Sequence, residues 1–549
     1  MSTTIGGQRE QILKEGTSST QGREAQHADI MAVLVIAESI RSSLGPKGMD
    51  KMLVDGFGDV TISNDGATIL DEMDVQNPAA KMMVEVAKTQ DDEVGDGTTS
   101  VVVLAGELLS RAQVLMDKDV HPTVIVDSYQ IASEKALEFL HKIALKVNPT
   151  DKVMLKKIAK VALSTKLLAE HKEFAADLAV KAVLHVTEKS GTNFRADIDD
   201  IKVEKKPGGS VTDTVLIQGI VLDKEVVHPG MPRRVENASI ALLNCPLEVE
   251  KPEFDAKLNI KNPDQMKGFL DEEEKILRGM VDKIASSGAN VVICEKGIDD
   301  VVQHFMAKKN VLAVRRVKES DMEKLAKATG ARILTQLEDL KASDMGQANL
   351  VEERKVSDDK MTFVEGCKNP KAVSILVRGG TERVVDEAER AIHDALCVVR
   401  DVVVEPQVVA GGGAPEAEVS RMLKGYAQRL SGTEQLAVQA YAEALEIIPL
   451  TLAENAGIDP INSLMEVRSK HQAKAKSVGI DPFKGKVADL AKLDVYEPLA
   501  VKVQALKSAG EAAGMILRID DIIAASKSKA GGAPKGPKES AKEEGEGES

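Results

Sequence analysis

The pattern of apolar residues is helical at both ends of this 549-residue chain and alternates between strands and helices in the middle. The first 148 residues and the stretch from Gly411 to about Leu493 are mainly of helical pattern, whereas the sequence from about Val215 reads as short strands separated by helices. A chain of this length exceeds what one hydrophobic core can hold, so two to four domains are expected. The matching ends allow one domain built from both termini, with an α/β domain inserted between them.

Local signals place several elements within this outline. Asp55-Gly56 separates two short runs, Lys51 to Val54 and Val60 to Ser63, that predict a β-hairpin. Thr381 is a suitable N-cap for a helix from Glu382 to about Arg400. The strands predicted after residue 215 are Ser239 to Leu243, Asn290 to Cys294, Val311 to Val314, Arg332 to Leu334 and Ala372 to Val377. From Gly411 to about Leu493 the pattern predicts helices only.

The two ends of the chain have compositions that do not support a core. Residues 1–26 are polar and rich in Gly, Ser and Gln, which predicts a mobile N-terminal arm. Residues 527–549 consist of Gly, Pro, Lys, Glu, Ser and Ala only, which predicts a disordered tail.

Composition argues against nucleic acids and membranes as partners. Lys and Arg total 72 against 87 Asp and Glu, and the formal net charge of -15 argues against nucleic-acid binding. No run approaches the ~20 apolar residues of a membrane span, and no basic-then-apolar signal pattern is present. The expected location is therefore the cytoplasm, without a membrane partner. The four cysteines lack CxxC spacing, so we expect buried thiols rather than a zinc site or disulfides.

The run Gly95-Asp96-Gly97-Thr98-Thr99-Ser100 stands directly before an apolar helical stretch. Glycines let the backbone approach a ligand closely, and a helix N-terminus offers free N–H groups and partial positive charge to a phosphate. Asp96 would repel a phosphate, but it is a suitable ligand for a phosphate-bound Mg2+. On its own, such a run is more often the capped start of a helix. The chain lacks GxxxxGK[ST], so this is not a P-loop.

Other features are compatible with function but have ordinary explanations. The runs Leu44-Gly45-Pro46-Lys47-Gly48 and Ser63-Asn64-Asp65-Gly66 are rich in turn-forming residues. Asp394 lies beside the apolar face of its helix, where a solvated carboxylate is the simpler interpretation. The loop Gly411-Gly412-Gly413-Ala414 could approach a nucleotide or serve as a hinge. Spacing alone leaves these alternatives open.

Five strings together resemble those of the group II chaperonins, the archaeal thermosome and its cytosolic eukaryotic relatives. The resemblance covers roughly residues 25–526. The strings are Arg41-Ser42-Ser43-Leu44-Gly45-Pro46-Lys47-Gly48-Met49-Asp50-Lys51-Met52, Asn64-Asp65-Gly66-Ala67-Thr68-Ile69-Leu70, Gln90 with Val94-Gly95-Asp96-Gly97-Thr98-Thr99, Leu445-Glu446-Ile447-Ile448-Pro449, and Ile516-Leu517-Arg518-Ile519-Asp520-Asp521.

The resemblance implies an ATPase that uses carboxylates to bind Mg2+ and to activate water. Asp96 would ligate Mg2+, Asp65 would help to position the attacking water, and Asp394 would be its general base. Lys166 would sense the γ-phosphate. The residues that the resemblance places around the nucleotide are Leu44, Gly45, Pro46, Gly66, Gly97, Thr98, Thr99, Ser100, Lys166, Gly412 and Glu497. ATP and Mg2+ are the expected cofactors.

The implied fold class is multidomain α and α/β, with the domain arrangement of a chaperonin. It comprises an all-helical equatorial ATP-binding domain, a small intermediate hinge domain, and an α/β apical domain with a helical protrusion that serves as a lid. The corresponding ranges are 27–148 with 405–526 (equatorial), 149–214 with 368–404 (intermediate), 215–367 (apical) and about 253–276 (protrusion).

The resemblance implies a chaperone that encapsulates and folds unfolded proteins, driven by ATP hydrolysis. Its subunits, identical or paralogous, would form a double ring of eight or nine per ring. Two other classes remain at this point: a scaffold that holds unfolded chains without turnover, and a small-molecule kinase. The carboxylates Asp65, Asp96 and Asp394 argue against the scaffold, and no acceptor site for a kinase is recognisable.

Overall fold

The computed structural model describes residues 18–191, 193–249, 263–367 and 371–524. Its α-helices are α1 (Arg23–Arg41), α2 (Gly66–Asp71), α3 (Pro78–Val94), α4 (Thr98–Met116), α5 (Pro122–Ile143), α6 (Lys152–Leu163), α7 (Lys172–Val186), α8 (Pro263–Ser287), α9 (Asp300–Lys308), α10 (Glu319–Thr329), α11 (Glu382–Val404), α12 (Ala414–Ala427), α13 (Gly432–Ala444), α14 (Ile447–Asn455), α15 (Pro460–Gln472) and α16 (Leu499–Leu517).

The strands of the described residues are mostly short. They are β1 (Ser18–Gln21), β2 (Lys51–Val54), β3 (Val60–Ser63), β4 (Leu145–Lys146), β5 (Glu188–Ser190), β6 (Asn193–Arg195), β7 (Ile201–Pro207), β8 (Val215–Ile217), β9 (Gly219–Leu222), β10 (Arg234–Leu243), β11 (Val291–Cys294), β12 (Leu312–Val314), β13 (Ile333–Leu334), β14 (Gly346–Val356), β15 (Asp359–Cys367), β16 (Val373–Gly379), β17 (Gln407–Ala410), β18 (Val478–Asp481), β19 (Lys486–Asp489), β20 (Tyr496–Pro498) and β21 (Asp521–Ala524).

One hydrophobic core is built from both ends of the chain. Its buried residues run from Ile30 to Leu140 and again from Val409 to Leu517. Helix α4 packs against α1 from the N-terminal part and against α13 and α16 from the C-terminal part. Leu108 and Leu109 of α4 have no exposed surface, because helices surround it on more than one side. The two distant segments therefore fold as one unit, which we call the helical core.

A second hydrophobic core is built from the two stretches of chain that connect the helical core to the middle segment. Helices α6, α7 and α11 bury their apolar faces together, with Leu155, Ala179 and Ala395 fully buried. Helices α7 and α11 also contact the sheet in which β16 pairs with β7 in parallel and with β8 in antiparallel register. We call this unit the hinge core.

The middle segment forms a sheet with apolar clusters on both faces. The strand order is β12-β11-β10-β14-β15-β9, and β13 also pairs with β10. Strands β10, β11 and β12 are parallel, whereas β14 and β15 are antiparallel neighbours. Along β10, Ile240 and Leu242 face one cluster while Ala241 and Leu243 face the other. Alternate residues of a strand point to opposite faces, so both faces of this sheet are covered.

The structure confirms many predicted elements and corrects others. Both strands of the hairpin around Asp55-Gly56 have the predicted bounds. The predicted strands after residue 215 all form, and their bounds agree with the prediction within a residue or two, except that β10 begins earlier, at Arg234. Thr381 caps its helix by accepting a hydrogen bond from the Val384 N–H. The prediction of helices only from Gly411 to Leu493 is wrong, because β18 and β19 form a hairpin there. Each has four residues, too few for a periodic pattern.

The predicted N-terminal arm is too long at its C-terminal end. Residues 18–21 pair with β21 in antiparallel register, and α1 begins at Arg23. The strand could not be predicted because this stretch is polar. Its pairing partner, β21, lies about 500 residues away in the chain. Residues 1–17, residues 253–262 of the predicted protrusion and the predicted tail lie outside the described residues, whereas residues 263–276 of the protrusion belong to α8.

Two helical stretches are long and apolar enough to span a membrane by length and composition, Thr98–Met116 and Gly432–Asn455. The sequence analysis expected none. Most of each stretch is buried inside the protein, which is typical of core helices. The thiols of Cys294, Cys367 and Cys397 are also buried, and Cys245 is partly buried.

Candidate functional site

A cavity of about 570 Å3 opens between the helical core and the hinge core. Its wall combines loops from both ends of the chain with the segment that follows α6. The predicted site residues that line it are Leu44, Gly45, Pro46, Asp65, Asp96, Gly97, Thr98, Thr99, Ser100, Lys166, Gly412 and Glu497. Gly66 and Asp394 do not line it. A cavity of this size suits a nucleotide or a drug-sized ligand.

The N-terminus of α4 lies in the wall of this cavity and has no side-chain cap. Helix α3 ends at Gly95 in the left-handed conformation (φ 64°), and Gly97 (φ 78°) is the N-cap of α4 without a side-chain cap. The N–H groups of Thr98 and Thr99 therefore lack a capping side chain. Such a helix start binds phosphate through these groups and the helix dipole.

Gly66 contributes by close packing rather than by lining the cavity. A Cβ at this position would lie 2.6 Å from the Thr99 backbone nitrogen and 2.8 Å from its Oγ1. Only glycine lets the start of α2 approach the start of α4 so closely.

Asp65 is a buried carboxylate at the N-cap of α2. Its Oδ2 accepts hydrogen bonds from the Thr68 N–H (3.0 Å) and hydroxyl (3.1 Å). Its Oδ1 accepts from the Thr98 hydroxyl (3.0 Å) and from Nζ of Lys166 (3.1 Å). Burial alone would raise the pKa of Asp65, but the charge of Lys166 and these hydrogen bonds outweigh burial and hold the pKa at about 2.

Lys166 joins the two cores. Its Nζ lies 2.8 Å from Oδ2 of Asp394 on α11 and 3.1 Å from Oδ1 of Asp65. All three side chains are at least nine-tenths buried. Asp394 is therefore not the solvated carboxylate that spacing suggested. Burial raises the pKa of Asp394, and repulsion from Asp65 adds to the increase, because one lysine cannot neutralise two carboxylates fully.

Asp394 faces a second, smaller cavity of about 380 Å3 that Asp65 also lines. Asp91 and His393 are further members of its wall. Burial, with repulsion from Asp65, raises the pKa of Asp91 to about 6. Asp65 is thus the carboxylate shared by the two cavities, with Lys166 and Asp394 beside it.

Asp96 is partly buried in the wall of the large cavity. Its Oδ1 accepts a hydrogen bond from the Gly97 N–H (2.6 Å), and burial raises the pKa of its carboxyl group. Within the described ranges, no group of three or more His, Cys, Asp or Glu side chains is placed to hold a metal ion. A phosphate-bound Mg2+ needs only one or two carboxylates, so Asp96 fits that use.

The cavity wall also contains two charged residues, Lys502 and Glu416, that were not predicted from the sequence. Lys502 lies 2.9 Å from Glu416 and forms a second ion pair with Glu497. Gly411 lies directly under Glu497, because a Cβ there would be 2.6 Å from its Oε1. Gly412 (φ 67°) packs against the Ile480 carbonyl group. Glu416 follows the glycine run by three residues, which is the one local signal that could have drawn attention to it.

Comparison with known proteins points to one family. A family model described as the TCP-1/cpn60 chaperonin family matches residues 36–527. A thermosome subunit of Pyrococcus horikoshii is 58% identical over 523 residues, covering 95% of each chain. One from Methanopyrus kandleri is 59% identical over 519 residues, covering 94% of this chain and 95% of its own. A thermosome subunit beta of Archaeoglobus fulgidus is 58% identical over 532 residues, covering 96% and 98% respectively.

Proposed function

The chain belongs to the TCP-1/cpn60 chaperonin family, in its group II branch, and we propose that the large cavity is its ATP site. As a group II chaperonin subunit it is an ATPase that folds proteins. The observation that carries the assignment of the site is the buried group Asp65, Lys166 and Asp394, which joins two cores beside an uncapped helix N-terminus.

The phosphates of ATP would bind at the start of α4. Thr98 and Thr99 line the cavity at the start of α4, and Gly45 and Pro46 line it from the loop after α1. Asp96 would hold Mg2+ on the phosphates, where the ion supplies positive charge that neutralises them. Glu497 and Gly412 would lie near the sugar and base.

Hydrolysis would use Asp394 as the general base. Its buried carboxylate, with a raised pKa, is a stronger base than an exposed aspartate. The attacking water would lose a proton to Asp394 as its oxygen bonds to the γ-phosphorus. The bond from that phosphorus to the β–γ bridging oxygen would break, releasing ADP and phosphate. Lys166 is within reach of both carboxylates and would sense the γ-phosphate beside them.

We assign the helical core to an equatorial domain, the hinge core to an intermediate domain and the seven-stranded sheet to an apical domain. The separate apolar clusters support this division. Asp65 and Asp394 belong to different cores, so a movement between the cores would assemble or separate the catalytic groups. Hydrolysis would then be coupled to closure.

We also propose assembly into a double ring of eight or nine subunits per ring, identical or paralogous, in the cytoplasm. Relatives designated alpha and beta support paralogous subunits. Helix α8 exposes Met266, Phe269 and Leu270 and would carry the helical lid and contact unfolded clients. Native mass spectrometry of the purified complex decides the ring size.

The test of function is refolding of a denatured client protein with ATP or with a nonhydrolysable analogue. We expect a higher yield with ATP, because hydrolysis drives the closure cycle. Equal yields would indicate passive holding of the client and would contradict the proposal.

A further inference from the structure

The end of α3 carries negative charge that its own residues do not neutralise. Its last turn contains Asp91, Asp92 and Glu93 and no basic residue. The free carbonyl groups at the end of a helix add partial negative charge at the same place. The run Gly95-Asp96-Gly97 follows directly and leads into α4, so a cation that binds the end of α3 also lies next to the proposed phosphate site.

Arg400 of α11 supplies this cation from the hinge core. Its Nη2 donates a short hydrogen bond to the Glu93 carbonyl oxygen. Its Nε and Nη2 also donate to Oδ1 of the neighbouring Asp401, at 2.9 and 2.7 Å. The side chain of Asp401 is buried and that of Arg400 is only 20% exposed. The carboxylate therefore holds the planar guanidinium group in one orientation, with its remaining donors free for α3.

The same contact between α3 and α11 continues one turn earlier on α11. Cys397 packs so closely on Gly95 that a Cβ there would overlap its sulfur atom, and the thiol is buried. Asp394 lies a further turn back along the same helix. How α11 docks on the end of α3 therefore sets the distance of Asp394 from the phosphate site.

We infer that Arg400 is a positioning residue for hydrolysis, which docks α11 on the end of α3 and thereby places Asp394 beside the bound ATP. This inference deepens the proposed function and rests on it. Arg400 lines neither the large nor the small cavity, so it acts through Asp394 rather than on ATP. Each core also has its own apolar cluster. Loss of this hydrogen bond should therefore change how the two cores meet, not whether each of them folds.

The first test is hydrolysis by Arg400→Gln, which removes the charge and the planar fork of donors. We expect kcat for ATP to fall about 10- to 100-fold, the range for a misplaced catalytic group. The Kd for ATP should stay within about threefold of the wild type, because the start of α4 belongs to the helical core. Arg400→Lys keeps the charge alone, so its kcat should be at least about threefold above that of Arg400→Gln. Arg383→Gln, at an exposed position on the same helix, should match the wild type.

The second test measures docking without measuring hydrolysis. ADP with aluminium fluoride imitates the transition state, and in this complex the thiol of Cys397 should be protected by its contact with Gly95. In Arg400→Gln, N-ethylmaleimide should label Cys397 at least about fivefold faster than in the wild type, because the contact opens more often. Mass spectrometry of the peptides measures this rate. Labelling of Cys367, which is buried at the end of β15, should not change and is the internal control.

A kcat of Arg400→Gln within about twofold of the wild type, or unchanged labelling of Cys397, would overturn the inference. Equal increases in labelling at Cys397 and Cys367 would also overturn it, because they indicate a general loosening of the fold. If Arg400→Gln does not assemble, Arg400→Lys gives the same test, since its Cys397 should also label faster than in the wild type. Asp394→Ala tests the proposed function separately. Normal turnover in Arg400→Gln beside an inactive Asp394→Ala would reject the role of Arg400 alone.

Discussion

Gly95 is a single residue on which the contact between the helical core and the hinge core depends. It ends α3 with a φ of 64°, and a Cβ here would lie 2.3 Å from both Cβ and Sγ of Cys397. Cys397 follows Asp394 by three residues on α11. A side chain at Gly95 would therefore push α11, which carries the proposed general base Asp394, away from the start of α4.

Gly95→Ala should lower both the melting temperature and kcat for ATP. Gly330→Ala is the matched control, because Gly330 also ends a helix with positive φ (77°) but has nothing within 4 Å of its would-be Cβ. Both variants lose about 1 kcal/mol through the left-handed backbone. Thermal unfolding and steady-state hydrolysis should show a further loss in Gly95→Ala alone, and equal effects would contradict this contact.

At the level of single residues, the sequence predicted which residues line the cavity better than it predicted whether each side chain is buried and which partners it has. Twelve of the fourteen candidate site residues line the large cavity, although their roles remain predictions. Asp394 has a local pattern that fits a solvated carboxylate. Its burial depends on Lys166, which is 228 residues away in the chain. No local spacing contains that information.

Among the elements, the hairpin of β18 and β19 forms part of the cavity wall and is held by the buried side chain of His471. Nδ1 of His471 on α15 lies 2.8 Å from Glu418 on α12, and Nε2 lies 2.7 Å from the Val478 carbonyl oxygen. Burial would raise the pKa of Glu418, but hydrogen bonds from His471 and Arg421 outweigh burial and hold the pKa at about 2. Ile480 and Asp481 of the hairpin line the cavity.

Glu418→Gln should reduce the free energy of unfolding by about 2 kcal/mol at pH 7, because it removes the charge of a buried pair. The ordinary pKa of 4.5 falls to about 2 in the folded protein, so the stabilisation is present above pH ~4.5. It is lost as the pH falls from about 5 to about 2. Denaturant unfolding of both proteins at pH 7 and at pH 3 measures the difference, with the exposed Glu511→Gln as control. A difference that does not shrink at pH 3 would contradict the ion pair.

Local turn signals and apolar alternation decided which hairpins could be predicted from the sequence. The hairpin at residues 51–63 has a turn-forming Asp55-Gly56 between two apolar runs, and its bounds were predicted correctly. The larger hairpin of β14 and β15 was missed. Its strands contain the run Glu352-Glu353-Arg354-Lys355, which breaks the alternation of apolar residues. Arg354 pairs with Glu352 on its own strand and with Glu365 across on β15, and the second pair forms only once the strands pair.

For the whole molecule, the similar patterns of the two chain ends predicted that they fold together, and the helical core contains both. Apolar periodicity reports burial but not the partner of each buried face. The meeting of the helical and hinge cores at Asp65, Lys166 and Asp394 could therefore be anticipated only from the family resemblance. The proposed dependence of ATP hydrolysis on closure requires this junction.

The most direct test is single-turnover hydrolysis of bound ATP by Asp394→Ala. Asp386→Ala on the same helix is the control, because Asp386 is partly exposed and pairs with Lys205 away from the cavity. We expect Asp394→Ala to bind ATP within about threefold of the wild-type Kd and to hydrolyse it at least about 100-fold more slowly, the loss typical of a missing general base. Asp386→Ala should match the wild type. Hydrolysis by Asp394→Ala within about threefold of the wild-type rate would contradict the account.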